Sequence, residues 1–363
     1  MKESIKELLN SLLIYEKVTY PEPEYTFKHA IIQEVAYRSI LGPEKKNHHR
    51  NIACLLENLF ASRIEEKCED IAFHYENSDE KESAIKYLVM AGDKMTRIFA
   101  NREAGAYYSK ALELIRKQPD AKQNTEHFID IGLSYLNVVL YLRGSGDNLS
   151  LLEELKNAAS DINDRLRLAW VHNWLGRVYY FIGDQKNVLA NFELCMELIG
   201  DNDIPELKAW AFNIIGLSKV HTEDMEIGMR YLEQGIGFMS KVHNRDVISQ
   251  AALLLSCAYA CQGNKQGAYS LCDKAMKWAI ESGSPTRISI CFMGLGVVEN
   301  FYNGPHNAIK HLDKGMQIAR DNNIPAAVYF NQIQTGYACL RAGMTEKAID
   351  MGNSIVNMSR EMN

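Results

Sequence analysis

The residues in this sequence whose types and spacing could do chemistry fall into four small groups. Lys45, Lys46, His48, His49 and Arg50 put five basic or imidazole side chains into six positions. Such a cluster would suit a phosphate group or, through the two histidines, a metal ion. A metal site needs Cys or carboxylate partners at ligand spacing, and none accompanies this pair, so a solvated helix start in a basic segment is the simpler account. Cys257 and Cys261 stand one helical turn apart, with Cys272 and Cys291 following, which raises a zinc or redox pair. Their apolar helical surroundings fit small core residues better. His306 and His311 match no zinc-protease spacing and read as surface histidines. His29, beside Gln33 and Glu34, is a general-base candidate. A base requires an oriented partner and a substrate, and a packed or hydrogen-bonded residue accounts for it with less.

The missing motifs matter as much. No G-x-x-x-x-G-K-[ST] loop occurs, and the nearest string, GNKQGAYS at 263–270, has the wrong spacing. No G-x-S-x-G nucleophile context is present, nor paired metal-binding aspartates in a strand context. The expectation is a chain without catalysis, cofactor or metal of its own. The eight cysteines lack short paired spacings and suit reduced, buried thiols.

Residues of this kind act only where a scaffold positions them, and the composition limits the scaffold. In 363 residues, 40 Lys and Arg stand against 46 Asp and Glu, a net charge of -6. That balance argues against nucleic acid as the main partner, since such affinity rests on neutralising phosphates. The chain is 24% charged and 47% hydrophobic, proportions of an ordinary globular protein rather than a fibrous or disordered one. The longest apolar candidate, 135–142, is too short to span a membrane, and the N-terminus MKESIKELLN has no secretory apolar region. A cytoplasmic protein without a membrane partner is expected. Only eight prolines interrupt a sequence rich in Ala, Leu, Lys and Glu, so the elements should be helices.

Those helices repeat. Gly176, Gly216, Ser256, Gly296 and Gly336 follow one another at 40-residue intervals. Twelve residues after each comes Val188, Gly228, Ala268, Ala308 or Ala348, and sixteen after comes Phe192, Leu232, Cys272, Leu312 or Gly352. Turn positions recur at Gly183, Glu223, Gly263, Asn303 and Gly343, and junction prolines at Pro205, Pro285 and Pro325. Small residues allow two helices to approach, turn residues reverse the chain, and prolines open the next helix, so each copy predicts an antiparallel helical hairpin. The pattern Gly176, Tyr179, Val188, Phe192, Cys195, and again Ser256, Tyr259, Ala268, Cys272, Ala275, resembles the tetratricopeptide repeat (TPR). Lys219, Glu299 and Cys339 depart from it where an aromatic is usual. Earlier, Ala72, Tyr75, Ala84, Leu88 and Ala91 fit one copy; Ala104, Tyr108 and Ala111 end another, sharing the helix at 81–100. A weaker copy spans 129–160 around Leu136 and Leu152, with RGSGDN as its turn.

The resemblance implies a superhelix whose first helices line a concave groove, with the second, fifth, ninth and twelfth repeat positions facing it. Carried over, these are Trp170, Asn173, Arg177 and Tyr180 in one copy and Trp210, Asn213, Leu217 and Val220 in the next. Both readings of these residues stand on sequence alone: a binding face for a protein or peptide segment, or packing between neighbouring helices. Trp170 with Trp210, and Asn173 with Asn213, are 40 residues apart and so occupy equivalent positions.

Residues 1–60 do not repeat. A short helix, a hairpin over about 14–28 and a helix from about residue 29 read as the tail of a winged-helix unit. Phe27, His29, Ala30, Gln33, Glu34, Val35, Ala36 and Tyr37, followed by His49, Arg50, Ile52 and Ala53, are similar to a junction in large bacterial signalling proteins. There, F-x-H-A-x-x-Q-E-V-A-Y and a basic H-R-x-I-A helix join a STAND-type ATPase to a TPR array. That resemblance implies a non-catalytic regulatory region of a larger protein, first of all a class III adenylate or guanylate cyclase with a central ATPase; the alternatives are the sensor arm of a LuxR-type or maltose-activator-like STAND regulator and, behind it, an enzyme with a site hidden between helices. The layout expected is therefore an all-α TPR superhelix in three parts: a winged-helix remnant and linker helix at 1–60, irregular hairpins at 61–163, and five 40-residue repeats at 164–363. Because each repeat contacts mainly its neighbours, a fragment beginning near residue 163 should fold alone, giving a cooperative melt and helical circular dichroism; an unfolded fragment would count against repeat autonomy.

Overall fold

The computed structural model describes residues 2–18, 23–118, 122–140, 145–202, 204–221, 224–239, 241 and 245–362. The chain divides into two compact units, Met1–Ala91 and Gly92–Asn363. In the first, α1 (Lys2–Asn10) precedes β1 (Ile14–Val18), which pairs antiparallel with β2 (Glu24–Phe27), Ile14 lying opposite Phe27 and Tyr15 opposite Thr26. Of the hairpin turn PEPE, Pro21 and Glu22 lie outside the described residues, as do Thr19 and Tyr20. Helices α2 (Ala30–Ser39) and α3 (Gly42–Leu59) follow, then a 3-10 turn (Ala61–Lys67), α4 (Cys68–Glu76) and α5 (Lys81–Arg97), along which the chain leaves this unit. Ala53, Ile71, Ala72, Tyr75, Ala84 and Leu88 form its core. Glu57 is held there by two phenols: Tyr75 and Tyr87 each donate to it at 2.6 Å, their rings stacked 5.7 Å apart. Burial, and then the bond to Glu57, push both phenol pKa values up, so the donors stay protonated.

The second unit continues with α6 (Asn101–Ile115), α7 (Lys122–Val139) and α8 (Ser145–Asp161). Within RGSGDN, Arg143 and Gly144 lie outside the described residues, and Ser145 to Asn148 already belong to α8 rather than to a turn. Five hairpins follow in strict register: α9 (Arg165–Ile182) with α10 (Gln185–Ile199), α11 (Pro205–His221) with α12 (Met225–Met239), α13 (Arg245–Cys261) with α14 (Lys265–Ser282), α15 (Pro285–Tyr302) with α16 (Pro305–Asp321), and α17 (Pro325–Arg341) with α18 (Thr345–Met362). The molecule is a TPR-type α-α superhelix carrying one small hairpin.

The punctuation acts as the residue types require. Asp164, Asp184, Asn264 and Ser284 each cap a helix by accepting the backbone N–H three residues on. Gly183, Gly263 and Gly343 reverse the chain at φ of 86°, 81° and 74°. At the fourth turn the expectation for Asn303 is displaced by one residue: Asn303 has φ -119° and Gly304 takes the left-handed conformation at 90°, because glycine is available there without a Cβ penalty. Glu223 lies outside the described residues.

The small positions are contact points. A Cβ on Gly176 would sit 2.6 Å from the Phe192 ring, and one on Gly296 would sit 2.6 Å from Leu312 Cγ and 3.2 Å from the Ala308 carbonyl. Gly216 and Gly228 meet backbone to backbone, each Cβ position lying within 2.8 Å of the other's carbonyl. Ser256 turns its hydroxyl onto the Leu253 carbonyl at 2.6 Å, beside the Cys272 thiol. In the last hairpin the fit loosens, with Met351 3.5 Å from a Cβ on Gly336 and nothing near one on Gly352. Gly296→Ala should therefore destabilise by about 1–3 kcal/mol, the range for overpacking, whereas Gly237→Ala, whose Cβ meets nothing within 4 Å, should gain up to about 1 kcal/mol from helix propensity. Urea melts of the two variants would check this opposition in sign.

Candidate binding groove

A cavity of about 680 Å³ opens within the second unit. Its walls come from α7, α9, α11, the start of α15 and the segment Thr96 to Asn101, and among the described residues none of α8, α10, α12 or α14 lines it. Leu166, Trp170, Trp174 and Arg177 form one stripe of α9, and Asp130, Leu133, Ser134 and Asn137 one stripe of α7, as spacings of three and four residues demand. Helix α15 reaches the same cavity with Ser284, Thr286 and Arg287, three repeats beyond α9. The Phe99 ring closes against that turn, 3.6 Å from the position of a Cβ on Gly283.

Two charge arrangements shape the walls. Arg167 spans α7 and α9: its Nε and Nη2 donate to the two oxygens of Asp130 at 2.8 and 2.7 Å, and its Nη1 donates to Asp164 at 2.6 Å. Asp164 also accepts the Arg167 backbone N–H at 3.0 Å. Burial opposes ionisation of Asp164, but the Arg167 N–H bonds and guanidinium outweigh it and hold its pKa below the usual carboxylate range. Further along α9, Arg177 lies between two indoles, its guanidinium carbon over the Trp174 ring at 3.6 Å from the centroid and over that of Trp210 at 3.9 Å. Only 5% of Arg177 is exposed. Planarity and weak hydration let a guanidinium, and not an ammonium, be enclosed in this way.

Of the residues the TPR resemblance points to, Trp170, Arg177 and Trp210 line the cavity. Asn173 and Asn213 do not. Asn173 is fully buried, its amide donating to the Leu207 carbonyl of α11 at 3.5 Å, and Asn213 is 1% exposed beneath α12, with neither amide atom bonded. Tyr180 packs with Val188 and Phe192 in the α9–α10 core, and Leu217 and Val220 are half-buried away from the cavity. Trp174, Arg167, Glu206 and Arg287 line it without having been picked out. A signal existed for two: Trp174 lies four residues after Trp170 on one helical face, and Arg287 occupies the repeat position of Arg167 three copies on.

The other chemical groups are placed in the core, in surface ion pairs or in solvent. Burial pushes the Cys257 thiol up to about 12 and that of Cys272 up to about 11, which withholds the thiolate that redox or metal chemistry needs. Among the described residues no three His, Cys, Asp or Glu side chains are grouped to hold a metal, and no helix is long and apolar enough to cross a membrane. Lys46 pairs with Asp79 at 2.7 Å and Arg50 faces Glu80 at 3.8 Å. His311 stacks near Phe292, with ring centroids 6.3 Å apart. His29 stands exposed before α2 without a capping bond.

No family model and no curated protein matches the sequence. Solved structures do match the fold. A Rap protein complexed with Competence and Sporulation Factor superposes with TM-score 0.67 at 12% identity, over 92% of this chain and 91% of that one. The Rap conjugation gene regulator of plasmid pLS20, in complex with the Phr* peptide, gives 0.62 at 12% identity, over 89% and 98%. The apo quorum sensor NprR from B. thuringiensis gives 0.59 at 10% identity, over 99% and 98%. At such identities the likeness is one of fold.

Removing the stacked guanidinium tests its part in the wall. Arg177→Lys keeps the charge but cannot cover two indole faces, so it should lower stability by about 1–2 kcal/mol and shift tryptophan emission, since Trp174 and Trp210 lose their common neighbour. Trp170→Phe, at a half-exposed position, should change the thermal melt little.

Proposed function

We propose that this chain is a non-catalytic regulatory region that takes an extended protein or peptide segment into the groove of α7, α9, α11 and α15. The observation that carries the reading is the composition of the cavity wall. Trp170, Trp174 and Trp210 offer broad apolar faces, Arg167, Arg177 and Arg287 fix guanidinium edges, and Ser134 and Asn137 add amide and hydroxyl partners. Aromatic and arginine side chains are what protein interfaces concentrate, and the volume lies in the range of ligand-sized sites. Nothing in the wall supplies an activated nucleophile or an acid–base pair. The buried asparagines Asn173 and Asn213, with Tyr180 and Leu217, belong to this proposal as the layer behind the wall, where the Asn173 amide bonds α9 to the Leu207 carbonyl of α11.

Of the two parents that the junction motif implies, the sensor arm of a STAND-type transcriptional regulator is favoured over a nucleotide cyclase. Likeness of fold over most of the chain to a conjugation gene regulator holding a peptide and to a quorum sensor supports that choice. The occupant would be a peptide or a segment of another domain, and neither nucleic acid nor membrane has a part in this chain's own binding.

The chain carries its own probe, because three of its four tryptophans line the cavity. Heptapeptides selected from a random displayed library against the full chain should change tryptophan emission on binding. Trp170→Ala should weaken them roughly thirtyfold, the effect of losing an interface anchor worth about 2 kcal/mol, and Ser134→Trp, which puts a bulky ring into the cavity from α7, should weaken binding strongly while far-ultraviolet circular dichroism stays unchanged. Peptides that bind both variants as tightly as the parent chain would place recognition elsewhere and sink this reading.

A further inference from the structure

Helix α2 buries no residue: Ile31 is 74% exposed and Val35 63%. Yet it ends in a bond to the core of the first unit. The Tyr37 hydroxyl lies 2.9 Å from His49 Nε2 on α3, and His49 Nδ1 lies 2.9 Å from His74 Nδ1 on α4. The three side chains form one continuous chain of hydrogen bonds across three helices. His49, only 6% exposed, is enclosed edge-on by the Phe73 ring at 5.7 Å.

This geometry restricts where protons can sit. Two nitrogens 2.9 Å apart can share one hydrogen and no more. With both imidazoles neutral, Tyr37 donates to His49 Nε2, His49 donates from Nδ1, and His74 accepts at Nδ1. The alternative neutral arrangement runs the other way, from His74 Nδ1 through His49 to the Tyr37 oxygen. A single added proton can sit on either ring, because the other ring then accepts at Nδ1 and His49 Nε2–H donates to the Tyr37 oxygen. A second would set N–H against N–H, and the two rings must then part.

We propose that Tyr37, His49 and His74 form an acid-opened clasp, which ties α2 to α3 and α4 while the imidazoles are neutral and releases α2 when both are protonated. The surroundings set its sensitivity. Lys45 lies over the Tyr37 ring at 4.5 Å, and Lys45 and His48 on α3 both oppose charge on His49, while Asp70 on α4 favours charge on His74. Glu34 and Arg38 on α2 pair with each other, and Asp70 also meets Lys67 at 3.0 Å. Burial is the largest influence on both histidines, and it lowers both pKa values below the ordinary 6.5. A group whose folded pKa is lowered contributes stability that is complete above its unfolded value and is lost as pH falls through the folded one. The clasp is therefore closed above about 6.5 and opens progressively below it. Opening releases α2, whose Ile31 and Val35 are already exposed, from its tie to α3 and α4, so this segment becomes responsive to acid.

Amide hydrogen exchange on the full chain, corrected for the intrinsic pH dependence of exchange, reads the clasp directly. Between pH 7.5 and pH 5.0, amides of residues 31–39 should exchange at least about tenfold faster, while those of α9 and α10 hold within about twofold. His74→Asn retains an acceptor for His49 Nδ1–H but cannot charge, so α2 should stay protected at both pH values. Tyr37→Phe removes the tie and should leave α2 unprotected at both, with the α9 and α10 amides showing that the chain is folded. Equal protection of the parent chain at the two pH values, loss of protection in His74→Asn matching the parent, or full protection in Tyr37→Phe would each overturn the proposal.

Discussion

The architecture depends on one steric constraint, the distance at which two helices of a hairpin can approach. At Gly176, Gly216 and Gly296 a single Cβ would fall within 2.8 Å of a partner side chain or backbone atom. Removing that atom lets Phe192, Leu232 and Leu312 drop onto the opposite backbone, and each of these side chains is at most 1% exposed. Close approach sets the tilt of each hairpin, and a regular repeat of tilts turns a stack into a superhelix. The cavity is a consequence of this geometry, since only after three further repeats does α15 come round to face α9. Where the constraint relaxes, at Gly336 and Gly352, the packing of the final hairpin relaxes with it.

Once the first helices share a concave face, polar groups on that face are partly withdrawn from water and must be compensated. Arg167 is compensated by a fork onto Asp130 and a further bond to Asp164. Arg177 is enclosed by Trp174 and Trp210. The two arginines stand ten residues apart on α9, about 15 Å along its axis, so one rigid helix presents an ion-paired edge and an aromatic one to the same space. On the proposed reading, a wall held by these contacts lowers the entropy lost on association.

The first unit is held differently. Its core is small, and polar ties span its helices: Glu57 between two phenols, Lys46 with Asp79, and the Tyr37, His49 and His74 chain. Hydrogen-bonded ties depend on protonation states in a way that apolar packing does not. The second unit is thus held mainly by shape, and the first also by hydrogen bonds between titratable side chains.

Much of this was legible in the sequence. The 40-residue interval determined the number and pairing of the later helices, since small residues, turn glycines and junction prolines recur with the period of the hairpins they make. Helix starts at Arg165, Pro205, Arg245, Pro285 and Pro325 follow that spacing without a slip. Local chemistry determined the caps as well, because an Asp, Asn or Ser before a helix can satisfy its first amides wherever the helix lies. Trp170, Arg177 and Trp210 could be assigned to the groove because position within a repeat fixes which side of a first helix faces inward. Tertiary structure alone decided which of the candidate residues meet. Asn173 and Asn213 turn to the neighbouring helices, because the side chain's place across an interhelical seam depends on the tilt between repeats. Arg287 joins Arg177 at one cavity although 110 residues separate them, and His49 reaches His74 across two helices. The repeat position of Arg287 was readable, but not which cavity it would reach, since a superhelix brings distant positions together through angles accumulated over many repeats and no single repeat encodes that sum; the meeting of the two histidines depends in the same way on how α3 and α4 pack.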